Sequence, residues 1–90
     1  MYIIKRNGQV EPFNKDKIIN AIEKAFLEVD GKIYKTDIAL DIADKIYDLV
    51  NQQEDGSFEV EEIQDLVEDF LMMSNRRDVA RSYIRYRYKK

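Results

Sequence analysis

Between Ala39 and Val50, apolar side chains at Ala39, Ile42, Ala43, Ile46, Leu49 and Val50 form an unbroken stripe at three-and-four spacing. An α-helix puts such positions on one face, and that face must be buried against another element. The pattern recurs three more times. It runs through Ile18, Ile22, Ala25 and Val29, flanked by Ile19 and Phe26, then through Ile63, Leu66, Val67, Phe70 and Leu71, and last through Val79, Ala80, Tyr83 and Ile84. Four half-apolar helices in 90 residues cover one another most readily as a bundle. The chain has no cysteine, so this single modest core must hold without disulfides.

The segments between the stripes carry the punctuation. Asn7-Gly8 is a strong hairpin signal, because a type I′ turn needs two residues that tolerate positive φ. A two-residue turn there sets Arg6 opposite Gln9, Lys5 opposite Val10 and Ile4 opposite Glu11, with Lys5 and Arg6 on opposite faces. Pro12 lacks a donor and suits an edge strand. Asn14 is placed to cap the first helix, which Asp30-Gly31 ends. Thr36 is the expected cap of the second helix, and Asn51–Ser57, with Gly56, the loop after it. Phe58–Val60 reads as a third short strand. Asn75 is the expected cap of the fourth helix, with Asp78 three residues on in capping-box fashion. No glycine or proline stops that helix before Lys90, as in a chain cut from something longer. The expected fold is therefore α+β: a small N-terminal hairpin or three-stranded sheet capping a four-helix bundle.

The net charge of -3 is unevenly spread. Residues 76–90 carry seven basic and one acidic side chain, residues 1–17 four basic and two acidic, and residues 18–75 four basic against fifteen acidic. If the two ends meet, they make a cationic pocket on an anionic body, which suits a small polyanion better than long nucleic acid. No apolar run approaches the ~20 residues of a membrane span and no signal-peptide pattern follows Met1, so a soluble, cytoplasmic domain without a membrane partner is expected. Histidine is absent, which removes the commonest general base and the usual zinc ligand.

Among the charged residues, Lys5 and Arg6 either solvate the hairpin tip or hold phosphate. Lys17 sits one turn inside the first helix, where a cation opposes the macrodipole unless a bound anion shares the helix start. Arg77, Arg81, Arg85 and Lys89 recur every four residues along one face, solvated or anion-binding. Tyr83 reads as core, whereas Tyr86 and Tyr88 offer a stacking or partner surface. Glu11 and Asn14 are a cross-strand partner for Arg6 and a cap, or else a carboxylate and an amide for a purine edge. Asp41, Asp44 and Asp48 are spaced as a solvated face, and no catalytic constellation is visible. A magnesium ion riding on nucleotide phosphates needs few protein ligands.

The opening IIKRNGQVEPFNKDKI resembles the N-terminal signature of the ATP-cone domain, a Lys-Arg-Asp-Gly turn before a Phe-Asn/Asp-x-x-Lys-Ile helix start. The closing IQDLVEDFLM…DVARSYIRYR resembles that family's second half, so the resemblance covers nearly the whole chain. It implies a non-catalytic domain, residues 1–90, that binds ATP or dATP, with Mg2+ on the phosphates, as allosteric effectors of a ribonucleotide reductase making deoxyribonucleotides. The ending Ala80, Tyr83, Ile84, Tyr86, Arg87 looks most like the anaerobic ribonucleoside-triphosphate reductase. Partners implied are adenine nucleotides and the parent catalytic domain, and the resemblance also allows cone–cone oligomerisation.

Residue by residue, the resemblance implies Lys5 and Arg6 at the triphosphate, Lys17 at phosphate or ribose, and Glu11 and Asn14 at adenine. It implies Ile3, Ile18 and Ile84 around the base, Gln64 beside the nucleotide, and a last-helix cation among Arg85, Arg87 and Lys89. Asn7 replaces the family's aspartate, and both residues suit the turn. Two alternatives stand beside this reading: a helical nucleic-acid-binding domain using the Arg/Tyr last helix, and the cone of a repressor of reductase genes. That repressor carries a four-cysteine zinc ribbon before its cone, and this chain has no cysteine.

Overall fold

The computed structural model describes residues 1–32, 37–53 and 57–89. Strands β1 (Tyr2–Ile4) and β2 (Val10–Pro12) lead into helices α1 (Lys15–Asp30) and α2 (Asp37–Asn51). Strand β3 (Ser57–Glu59) runs straight into α3 (Val60–Met73), and α4 (Arg77–Tyr88) follows. The sheet order is β2-β1-β3, with β1 antiparallel to β2 and parallel to β3. A parallel neighbour needs a long crossover, here supplied by α1 and α2. The expected α+β class and the four-helix bundle under a small sheet are what the chain forms.

The hairpin differs from expectation by one residue. Tyr2 pairs with Pro12, Ile3 with Glu11 and Ile4 with Val10. Only Gly8 takes a positive φ in the turn, +84°, so the connection is not the two-residue type that Asn7-Gly8 suggests. The Gly8 N–H donates to the Lys5 carbonyl at 2.9 Å and the Lys5 N–H to the Gln9 carbonyl at 2.7 Å. This is a type I turn followed by a left-handed glycine, a three-residue loop. Asn7 accepts from the Gln9 N–H through its side chain at 3.0 Å and so stabilises the turn without entering the left-handed region. A one-residue slip exchanges the faces of a strand. It places Ile3, rather than Ile4, opposite Glu11, and it moves Lys5 and Arg6 out of strand alternation into the turn.

In the bundle α1 packs on α2 and α4, and α3 on the same two helices. Ile22, Ile46, Val50, Leu71 and Val79 are completely buried at its centre. Leu49 departs from its expected place in the α2 stripe: it is 37% exposed, since Val50 takes the inward position. Val29 and Ile19 lie at the margin of the core, as do Leu66 and Phe70. Asn14 caps α1 as expected, its side-chain oxygen accepting from the Asp16 N–H at 3.0 Å, and Gly31 ends that helix at φ 77°. The expected Thr36 cap and Gly56 lie outside the described residues, as does Lys90.

Asn75 does not cap α4. It adopts φ 67° just after α3, and Arg76 is the N-cap, without a side-chain cap bond. Asparagine is one of the few residues with a side chain that tolerate the left-handed region, so it serves the turn out of α3 rather than the entry to α4. Arg76 then joins two helices. Its guanidinium reaches Asp30 at 2.8 Å and Asp78 at 3.1 Å and lies over the Phe26 ring, tying the end of α1 to the start of α4. Among the described residues no helix is long and apolar enough to cross a membrane.

Candidate functional site

Beneath the sheet, α1, α3 and α4 enclose a recess of about 170 Å³. Ile3, Ile18, Ile63, Val67 and Tyr83 make its apolar floor, with Ala21 and Val60 alongside. Glu11, Asn14, Lys17, Gln64 and Tyr86 form a polar rim. The corrected hairpin register explains part of this. Directly paired residues share a face of the sheet, so buried Ile3 and half-buried Glu11 point together towards the bundle. The short step from β2 into α1 then sets Asn14 and Lys17 beside Glu11.

The rim is charged but locally balanced. Lys17 pairs with Glu11 at 3.2 Å, so the partner of Glu11 is Lys17 rather than Arg6 across the hairpin. Asn14 uses its oxygen to cap α1, and its amide NH2 makes no hydrogen bond among the described residues. A donor from Asn14 and an acceptor from Glu11 therefore stand at one mouth.

A second recess, about 300 Å³, opens on the other side of Val60, lined by Ile4, Lys5, Arg6, Glu59 and Glu61. The two hollows touch at Val60 and are bridged by a hydrogen bond of 3.3 Å from the Arg6 guanidinium to the Gln64 side-chain carbonyl. Arg6 also pairs with Glu61 at 3.3 Å, whereas Lys5 makes no side-chain ion pair among the described residues. The arrangement is an apolar slot with a few convergent polar groups, beside a basic turn. Such a slot accepts a flat ring with an anionic tail.

The sequence model of the ATP cone domain matches residues 1–90. The chain belongs to the ATP cone domain family. Relatives include a vitamin B12-dependent ribonucleoside-diphosphate reductase of Thermoplasma acidophilum, 46% identical over 98% of this chain and 12% of the reductase. A ribonucleoside-diphosphate reductase subunit alpha of Chlamydia pneumoniae is 37% identical over 94% of this chain and 9% of its own. An anaerobic ribonucleoside-triphosphate reductase of Haemophilus influenzae is 35% identical over 96% of this chain and 12% of its own. The chain thus spans about a tenth of the length of these curated relatives.

Of the twelve residues singled out from the sequence, the cone gathers eight in these two hollows. Ile3, Glu11, Asn14, Lys17, Ile18 and Gln64 line the apolar one and Lys5 and Arg6 the basic one. Ile84, Arg85, Arg87 and Lys89 line neither. Arg85 and Lys89 border a further surface hollow with Glu28 and Tyr88, which shares Tyr86 with the rim of the apolar slot, and Arg85 pairs there with Glu28 at 3.0 Å. Hydrogen bonds from Ser82 and then Arg85 hold the Glu28 carboxyl below its usual range.

Arg87 is buried, its side chain 5% exposed, inside the α3–α4 contact. Its guanidinium donates to Asp65 and Glu68, both at 2.8 Å, and to the Glu61 backbone carbonyl at 3.3 Å. Burial opposes its charge, but the bonds to Asp65 and Glu68 outweigh that penalty and raise its pKa. Such a group holds helices together, and its Nε, the one nitrogen of the guanidinium without a hydrogen-bond partner among the described residues, is buried.

Sequence reasoning missed Ile63 and Val67 as floor of the slot, because a recess floor and a core have the same periodicity. Tyr83, read as core, also faces the slot. Burial pushes its hydroxyl up to about 12, only partly countered by nearby Arg87. An unfolded tyrosine titrates near ~10. With the folded value raised, the contribution of Tyr83 is complete below about pH 10 and lost as pH climbs towards 12. Tyr83→Phe is expected to remove about 2 kcal/mol of that alkaline loss. Denaturant unfolding of both chains between pH 8 and 12 measures it, and parallel curves would refute the assignment.

Proposed function

We propose that the cone is an allosteric sensor in which ATP and dATP compete for one site and set the activity of the ribonucleotide reductase that carries it. The observation that carries this reading is the contact between the two hollows at Val60 and along the Arg6–Gln64 bond. A nucleotide laid across them puts its base in the apolar slot, with Glu11 and Asn14 at the purine edge. Its phosphates lie on Lys5 and Arg6, with Lys17 between. Support from outside the chain is the family match and the reductase names of the relatives. Ala80, Tyr83, Ile84, Tyr86 and Arg87 favour the anaerobic triphosphate class, two members of which are among the relatives.

Magnesium would arrive on the phosphates, where it needs few protein ligands. Regulation requires that the ligands bind two states of the parent enzyme unequally, whatever their affinity for the isolated cone. A sensor of deoxynucleotides must admit both sugars. A site built around the 2′-hydroxyl would leave polar groups unpaired with dATP and reject it strongly. The slot is instead floored by Ile3, Ile18, Ile63 and Val67, with its polar groups at its edges.

ATP and dATP are therefore expected to compete with comparable affinity. GTP, which reverses donor and acceptor on the purine edge, binds at least tenfold more weakly, the size of one lost hydrogen-bond match of about 1.4 kcal/mol. Competition calorimetry on the isolated chain tests both. Tight GTP binding, or independent ATP and dATP binding, would sink the reading. Salt-sensitive binding of an oligonucleotide without nucleotide binding would replace it with the nucleic-acid alternative.

A further inference from the structure

Helix α3 opens with three glutamates at Glu59, Glu61 and Glu62, and two of them are consumed by the helix itself. Glu59 and Glu62 form a reciprocal capping box, in which the Glu59 N–H donates to the Glu62 carboxylate at 3.1 Å. Each satisfies an otherwise orphaned amide, which is reason enough for both. Glu61 takes no part in the cap. Its carboxylate, 58% exposed, turns away from the helix and sits on the Nε of Arg6 at 3.3 Å.

An exposed ion pair of this kind contributes little to stability, and the place of Glu61 in the first turn of α3, where a carboxylate favours the helix dipole, does not require it to face Arg6. Its position is nevertheless fixed. The Glu61 carbonyl accepts a hydrogen bond from buried Arg87 at 3.3 Å, which anchors the backbone while leaving the side chain at the edge of the basic recess. A phosphate chain that takes Arg6 displaces the Glu61 carboxylate, and the anchored backbone keeps that carboxylate within a side chain's reach of the bound oxygens, where it acts as a like charge.

We propose that Glu61 is a specificity-determining residue that makes the basic recess select magnesium-bound polyphosphate over the metal-free form. This rests on the nucleotide reading given above. Repulsion between one carboxylate and a phosphate chain grows with the charge left on that chain, and magnesium removes part of it. Glu61 thus penalises metal-free nucleotide more than its magnesium complex. The opposing charge also keeps Arg6 from clamping inorganic anions indiscriminately, which is specificity achieved by disfavouring the wrong ligand.

The test compares ATP affinity by calorimetry, in excess magnesium and in EDTA, for the parent chain and for Glu61→Gln. Glutamine keeps the side chain's size and removes only its charge, and thermal unfolding verifies that the variant folds. The parent is expected to prefer the magnesium complex. Glu61→Gln is expected to bind metal-free ATP about five-fold tighter, the size of one exposed charge interaction. Its affinity for the magnesium complex changes less than about two-fold, so the preference narrows. Glu61→Lys is expected to narrow it further. Equal gains for both forms, or no gain for either, overturn the proposal while leaving the nucleotide site standing. Absence of any ATP binding to the folded parent overturns the nucleotide reading and this one with it.

Discussion

Arg87→Ala is expected to destabilise the domain by about 3 kcal/mol and to lower its melting temperature by about 15 °C, with little direct effect on ligand contacts. The side chain is 5% exposed, and its guanidinium is the partner of Asp65, Glu68 and the Glu61 carbonyl. Truncation removes the hydrogen bonds, leaves a void, and strands the Glu68 carboxylate, which is only 21% exposed. Breaking a buried pair from one side is much more harmful than replacing both partners, because a charge is left without compensation. Asp65 is 64% exposed and can turn to water, so the loss belongs at the lower end of the range for such pairs. Arg87→Met combined with Glu68→Leu should recover most of the stability, since a well-packed apolar pair of similar volume often replaces a buried ion pair without loss. Thermal unfolding of the parent and the two variants decides the matter. An Arg87→Ala chain that melts with the parent but loses nucleotide affinity would return Arg87 to the ligand site.

That residue also shows where the sequence was readable and where it was misread. Val79, Ala80 and Tyr83 mark the buried stripe of α4, and the next position at helical spacing is Arg87, which the family resemblance offered as a ligand cation and periodicity alone would have put in the core. The i, i+3 pair Asp65 and Glu68 on α3 supplies its partners, but nothing local in α4 announces them. The helices themselves were legible because their burial is periodic, and Asn14 and Gly31 were legible as caps because their chemistry is local. The hairpin register was not. Asn-Gly fits both a two-residue turn with two left-handed positions and a three-residue turn with one, and the difference lies in whether Glu11 or Pro12 shares the bundle face with buried Ile3, which the turn residues do not encode. Asn75 failed as a cap for a related reason: asparagine serves equally as N-cap and as a left-handed residue. Within the candidate site, Lys17 was visible as a misplaced charge and Glu11 and Asn14 as a polar pair, whereas Gln64, Ile3 and Ile18 came only from the family resemblance, and Ile63 and Val67 were indistinguishable from core.

Lys5→Ala and Arg6→Ala are each expected to weaken ATP binding about 10- to 100-fold while leaving the fold intact. Charge-assisted hydrogen bonds to phosphate contribute roughly 1.5–3 kcal/mol, and about 1.4 kcal/mol is a factor of ten. Neither side chain supports the core. Arg6 is 43% exposed in the turn and its pair with Glu61 is a surface one, worth about 0–1 kcal/mol to stability. Loss of affinity with an unchanged melting temperature is therefore the signature to look for. The two positions should differ when exchanged conservatively. Arg6 presents a planar fork that holds Gln64 on one edge and can take phosphate on another, a geometry lysine cannot copy, so Arg6→Lys keeps only part of the affinity. Lys5 acts as a point charge, so Lys5→Arg should bind nearly as the parent does. If phosphates lie on Arg6, its bond to Gln64 couples them to the base end of the ligand, and Arg6→Ala should lower the ATP-over-GTP preference as well as the affinity. Competition calorimetry with ATP and GTP on the four variants measures both quantities. If Lys5→Ala and Arg6→Ala bind ATP like the parent, the phosphates do not lie at this turn.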